Sequence, residues 1–281
     1  DGADSDAVVS SEDFWLDEYD PLFPVPSKAE DLVIYELHVA GLGAGKEGPG
    51  TLADAMNMLD YLTELGVNAV ELLPMSGFDG VAGWGYGSSH FYSIKYEPEG
   101  RDQFKHFVRA CHKRGIAVLV DVVYNHYSPD NERCQWMYDS TRHDHNSFYY
   151  YQGKQEDYGD FPEGGYCDNM STGYLPNVAE ETVRKLMIGS AVNMALEYHV
   201  DGFRMDLTQA LHSFNVLHFD GRPMPEANEA GIRFMREWVR TLRLVKPRLM
   251  LLAEGDYEGK TGRTLPREAL EGALVRIFVA K

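Results

Sequence analysis

Ala117-Val118-Leu119-Val120-Asp121-Val122-Val123 is the stretch on which the fold turns. It is almost unbroken apolar and rich in β-branched residues, as a strand buried on both faces must be, and such strands belong to parallel sheets covered by helices. A single carboxyl, Asp121, interrupts it near its C-terminal end. Just upstream, 102–114 carries helical periodicity.

Working outward, the same alternation of short apolar runs and longer helical periods repeats. Val33-Ile34-Tyr35-Glu36-Leu37-His38-Val39 reads as a first strand. Leu52, Ala55, Met56, Leu59, Leu62 and Leu65 then form one apolar stripe on a helix that stops at Gly66. Ala69-Val70-Glu71-Leu72-Leu73 is the second strand, closed by Pro74, and a Gly- and aromatic-rich loop, Gly83-Trp84-Gly85-Tyr86-Gly87, follows it. Beyond the third strand, a helix is expected over 181–199, a fourth strand at Gly202-Phe203-Arg204-Met205-Asp206-Leu207, a helix over 227–245, and a fifth strand over 248–254. Repeated βα units of this kind predict an α/β fold, a (β/α)8-type TIM barrel, incomplete at its C-terminal end. The tail 265–281 fits one helix or a sixth strand.

Two stretches fall outside the rhythm. Residues 1–30 are acidic and Pro-punctuated, and read as a linker pinned to a surface by Trp15, Tyr19 and Phe23. Residues 125–178 are rich in Tyr, Asp, Gly and Asn and too long for an ordinary βα loop, so an inserted subdomain after the third strand is expected. The remainder, 31–281, forms the partial catalytic barrel. Within the insertion, Phe148-Tyr149-Tyr150-Tyr151 reads as its core, with a sugar-stacking platform as the alternative.

With 281 residues, one large domain is the natural reading. A formal net charge of −18 repels phosphate backbones, so nucleic acid is excluded as a partner and a neutral ligand such as a carbohydrate fits better. Cys111, Cys134 and Cys167 have neither an even count nor a CxxC spacing, which argues against a disulfide framework or a zinc site. No apolar run is long enough to span a membrane.

Chemistry-bearing residues collect at the proposed strand ends: His38 after the first, Asp121 with Asn125 and His126 around the third, Arg204 and Asp206 on the fourth, Glu254 on the fifth. In a βα barrel all of these ends open onto one face, so residues distant in sequence converge. Glycosidic cleavage needs two carboxyl groups, one charged and one protonated, and a retaining mechanism places them about 5 to 5.5 Å apart. Asp206 and Glu254 on adjacent strands can be placed at that separation. Arg204, on the same strand face as Asp206, is expected to hold that carboxylate ionised, with Glu254 kept protonated by repulsion and partial burial.

Several strings carry a resemblance. Val200-Asp201-Gly202-Phe203-Arg204-Met205-Asp206, Asp121-Val122-Val123-Tyr124-Asn125-His126, Leu251-Leu252-Ala253-Glu254-Gly255, the segment from Gly66 to Pro74 and Trp84-Gly85-Tyr86 resemble, in order, motifs of the α-amylase family of retaining α-glucan enzymes. The likeness covers roughly residues 31–256 and leans toward the branch holding branching, trehalose-releasing and debranching enzymes. It implies Asp206 as catalytic nucleophile, Glu254 as general acid/base and Arg204 as the residue orienting Asp206. It further implies Tyr86 stacking on the sugar, His126 hydrogen-bonding to it, and Asp121 and Asn125 bracing the loop. The implied substrates are starch, glycogen and maltooligosaccharides. The implied reaction is hydrolysis of α-1,4 bonds, with branching by transglycosylation as the alternative and a non-catalytic glucan-binding fragment as the second.

The family's third carboxylate, an Asp preceded by His, has no counterpart after Glu254; His143-Asp144 lies upstream. A truncated member is therefore expected. Its open sheet edge would favour a homo-oligomer. The chemistry requires no cofactor, while the resemblance makes Ca²⁺ an option at Asn125, with Asp168, Asp157 and Asp160 as oxygen donors. The chain begins at Asp1, so a preceding leader or domain is an open expectation. The location expected is cytoplasmic for a branching-like enzyme and secreted if a leader exists.

Overall fold

The computed structural model describes residues 12–78, 83–95, 100–126, 175–212, 225–254 and 275–276. Its strands are β1 (Ile34–Leu37), β2 (Ala69–Leu72), β3 (Ser76–Phe78), β4 (Ser88–Ile94), β5 (Ala117–Val122), β6 (Gly202–Met205), β7 (Met250–Ala253) and β8 (Val275–Arg276). The helices are α1 (Leu52–Asn57), α2 (Leu59–Glu64), α3 (Gly100–His112), α4 (Glu181–Glu197), α5 (Thr208–His212) and α6 (Pro225–Val245). Six strands join in the order β1-β2-β5-β6-β7-β8, every pair parallel, with helical segments in the connections as far as β7. This is a (β/α)8-type barrel, of which six strands are described.

The five expected strands stand where the apolar runs placed them, and Val275–Arg276 settles the tail's alternative locally as a sixth strand on β7. Two details differ from the reading of the sequence. The first helix is broken at Met58, which caps α1 and opens α2. The loop after β2 carries an antiparallel pair, β3 with β4, absent from the expected pattern. Aromatic and Gly-rich stretches show no strict period, so periodicity does not mark this pair.

Period-two alternation sorts the parallel strands into two surfaces. Val70, Leu72, Val118, Val120, Phe203, Met205 and Leu251 face an outer core shared with helix residues such as Phe104, Met187 and Trp238. Ala69, Ala117, Leu119, Met250 and Leu252 form the inner cluster, against which Ile34 packs. Register carries the inner surface upward, with Glu36, Glu71 and Leu119 in one row and Asp121, Arg204 and Leu252 in the next available row. Position 202 in this surface is a glycine because a Cβ there would stand 2.2 Å from the Met250 carbonyl oxygen.

The N-terminal segment is seated on the opposite end of the barrel. Trp15 stacks on His199 at 4.1 Å and Tyr19 on His112 at 5.0 Å. Buried His112 reaches Glu18 through Nδ1 at 2.6 Å and Asp201 through Nε2 at 2.8 Å, and Asp201 also accepts from the Val118 amide. His199 Nδ1 contacts the second Glu18 oxygen at 2.9 Å. Cys111 is free and buried. Cys134, Cys167 and the segment 127–174, including Phe148 to Tyr151, lie outside the described residues. No helix among the described residues is long and apolar enough to cross a membrane.

Candidate active site

At the C-terminal ends of β5, β6 and β7 one guanidinium organises three carboxyl groups. Arg204 Nη1 bonds to Asp121 Oδ2 and, at 3.1 Å, to Asp206 Oδ1, while Nη2 reaches Glu254 Oε2 at 2.8 Å. The parallel ladder explains the convergence: Asp121 and Arg204 are register partners, and the pairing continues past β6 as the Asp206 amide donates to Val122 and the Glu254 amide to Met205. A planar fork can serve several oxygens at once, which an ammonium cannot do in fixed geometry.

Further contacts fix each acid. The Asn125 amide donates to Asp206 Oδ2 at 2.7 Å and to the Asp206 carbonyl at 3.1 Å. The Leu207 amide donates to Glu254 Oε2 at 2.8 Å. Leu207 adopts φ 39°, a left-handed conformation that is strained for a leucine and that accompanies this donation. Tyr86 donates its hydroxyl to Asp121 Oδ2 at 2.7 Å. His126 is buried, with Nδ1 on Asn125 Oδ1 at 2.7 Å.

The electrostatics differ from those read off the sequence. Burial, with the charges of Asp121 and Glu254 behind it, lifts Asp206 to about 7, outweighing Arg204. The Glu254 carboxyl beside it adds to this rise. Arg204 pulls the Asp206 carboxyl down, in the direction expected, while burial and the acids around it push it up further. Burial lowers His126 to about 4 despite a hydrogen bond to the Tyr86 backbone, so its imidazole is neutral near pH 7. Burial and Asp121 both raise the Tyr86 hydroxyl, which therefore remains a donor.

Two acids at the inward parity of their strands, buried Glu71 and exposed Glu36, were not singled out from the sequence. Glu71 is buried on the inner surface, and burial plus the Asp121 charge push it up to about 7. Glu36 is its register partner on β1. The signal was present: an acid at the inward parity of an otherwise apolar strand has no reason to be there unless it faces charge. Asp121 Oδ1 is buried without a hydrogen-bond partner among the described residues.

Of the residues expected to serve calcium, Asn125 is described. Asn125 commits its amide nitrogen to Asp206 and its oxygen to His126, and no group of three or more His, Cys, Asp or Glu among the described residues could hold a metal. Asp157, Asp160, Asp168 and His143-Asp144 lie outside the described residues.

Fold and site together define a parallel (β/α)8 barrel with an arginine-bridged carboxylate pair at its strand ends. The α-amylase catalytic domain model matches residues 29–262. Isoamylase 1, chloroplastic, of Oryza sativa subsp. japonica is 36% identical over 211 residues, covering 67% of this chain and 25% of that protein. The malto-oligosyltrehalose trehalohydrolase of Arthrobacter ramosus is 36% identical over 188 residues, covering 66% and 28%. Among solved structures, the pullulanase from Anoxybacillus sp. LM18-11, complexed with maltotetraose, superposes with a TM-score of 0.63 over 90% of this chain and 38% of that one, at 22% identity. The chain belongs to the α-amylase family of glycoside hydrolases. It spans about a quarter of the length of these two curated relatives.

Proposed function

We propose that the chain carries the nucleophile and acid/base of a retaining enzyme that hydrolyses α-1,4-glucosidic bonds in starch or glycogen. The observation that supports this most is Arg204, which contacts Asp206 and Glu254 with its two terminal nitrogens. Asp206 attacks the anomeric carbon, while Glu254 gives a proton to the leaving oxygen and afterwards takes one from water. The neutral His126 is suited to donating to a sugar hydroxyl, and Tyr86, held beside the pair by its bond to Asp121, would stack on the sugar. A net charge of −18 suits an uncharged polymer.

A second reading, hydrolysis of branch linkages, is favoured by the names of relatives: isoamylase among the sequences and pullulanase among the structures. The purified chain and Glu254→Gln, incubated with amylose and with pullulan, separate the readings. New reducing ends from amylose with loss of iodine stain, abolished in the variant, support α-1,4 hydrolysis. Reducing ends from pullulan alone support the second reading. A changed iodine spectrum without new reducing ends indicates branching, and no change in any signal overturns the catalytic proposal.

A further inference from the structure

Trp84 is 69% exposed, whereas Trp238 is fully buried in the core and Trp15 is stacked on His199. Among the described residues no hydrogen bond or ring contact engages its indole. A singly exposed aromatic is ordinary on a protein surface; what sets Trp84 apart is its place two residues from Tyr86, beside the carboxylate pair.

The backbone that presents it is held on both sides. The Gly83 carbonyl lies 3.2 Å from His38 Nε2, at the end of β1. Gly85 adopts φ 96°, and a Cβ there would stand 2.6 Å from the Pro74 carbonyl oxygen, just past β2. Gly85 thus turns the chain sharply between Trp84, which is exposed, and Tyr86, whose hydroxyl is bonded to Asp121. The segment 83–86 lies across the C-terminal ends of β1 and β2, on the face that carries Asp206 and Glu254. The backbone that carries the indole is thus fixed in place beside the carboxylate pair, so no loop ordering is needed to present it.

We propose that Trp84 is a second aromatic platform, on which a glucosyl unit beyond the bond held at Asp206 and Glu254 stacks its apolar C–H face. The inference rests on the α-glucan reading and extends it to chain length: ligands long enough to reach from the carboxylate pair to Trp84 gain affinity that short ones do not. The large negative net charge of the chain disfavours anionic ligands and is compatible with a neutral sugar.

The test uses the 281-residue chain labelled with 5-fluorotryptophan, together with Trp84→Phe and Trp84→Ala. The ¹⁹F resonance missing from Trp84→Phe is that of Trp84. It is followed on titration with maltoheptaose and with maltose, and affinities are measured calorimetrically. The expected result is that maltoheptaose moves this resonance, that Trp84→Ala weakens maltoheptaose roughly tenfold, about 1.4 kcal/mol, and that Trp84→Phe retains most of the affinity. Maltose binding should be the same in all three chains. An unmoved Trp84 resonance at saturating maltoheptaose, or equal affinities in the wild type and Trp84→Ala, overturns the platform while leaving the α-glucan reading in place. Failure of the wild type to bind either sugar overturns the α-glucan reading, and the platform with it.

Discussion

Asn125 donates its side-chain amide to Asp206 at 2.7 Å, from a position where it is itself completely buried. The carboxylate it serves is pushed toward its protonated form by burial and by neighbouring acids. A neutral donor that favours the ionised form without adding charge is therefore part of what makes Asp206 available as a nucleophile. Removing it in Asn125→Ala raises the pKa of Asp206. A hydrogen bond to a charged group is worth about 1.5 to 3 kcal/mol, and each pH unit corresponds to about 1.4 kcal/mol. The acid limb of kcat/KM is expected to move up by roughly one pH unit. Asn125→Asp, which sets a like charge against Asp206, should move it further. Superimposable pH profiles for wild type and Asn125→Ala would remove Asn125 from the machinery.

Glu71 should make the fold pH-sensitive in a direction opposite to that of an ordinary paired acid. Its folded pKa of about 7 lies above the unfolded value of 4.5, so the native state binds its proton more tightly than the unfolded chain does. Stability is then lost as pH rises from about 4.5 to 7 and levels off above, by at most about 3 kcal/mol from this group. Glu71→Gln, which stays neutral, should match the wild type in thermal unfolding near pH 4.5 and exceed it near pH 8. Parallel melting curves at both pH values would show that Glu71 is not held against its ionisation.

These residues also show where sequence reading reaches and where it stops. The strand Ala117 to Val122 was legible because a parallel strand with two buried faces leaves a distinctive apolar run, and Asp121, Arg204, Asp206 and Glu254 could be aligned because strand ends of a barrel share one face. What could not be read was side-chain direction across strands. Asn125 stood as a loop brace and calcium ligand, and nothing in its neighbourhood said that its amide would reach Asp206, 81 residues away. Nor could the sequence weigh burial against charge, since the pKa of Asp206 depends on how many acids crowd one guanidinium. The strain at Leu207 is a property of the turn after β6 and leaves no mark in composition.

On the far end of the barrel, Glu18, His112 and Asp201 form a clamp that holds the N-terminal segment. Burial opposes the His112 imidazolium, but hydrogen bonds and charge from Asp201 and Glu18 prevail and lift it to about 9. Burial likewise opposes the Glu18 carboxylate, and its bonds to His112 and His199 still lower it to about 2. The His112 contribution is complete below about 6.5 and is lost as pH rises through 9; that of Glu18 is present above about 4.5 and is lost as pH falls toward 2. The clamp is therefore strongest between pH 4.5 and 6.5. Glu18→Gln should destabilise the chain by about 3 kcal/mol at pH 5.5, as expected for breaking a buried pair. The gap from the wild type should narrow by pH 9.5. A gap that does not change with pH would assign Glu18 to packing alone.

Arg204 gives the most demanding test because it is the one described cation contacting Asp121, Asp206 and Glu254 together. Burial disfavours its charge, yet the three acids hold it firmly protonated, so its removal leaves several buried acids with no counter-charge. Arg204→Leu should cost about 3 to 5 kcal/mol of stability near pH 7, the range for stripping one partner from a buried ion pair. That cost should shrink at pH 4.5, where the acids take up protons. Arg204→Lys separates charge from geometry. A lysine restores one positive charge but not the planar fork, so stability should largely return while kcat stays at least tenfold down. Were Arg204→Lys as active as the wild type, charge alone would suffice, and the fork joining Asp206 to Glu254 would be incidental to the reaction.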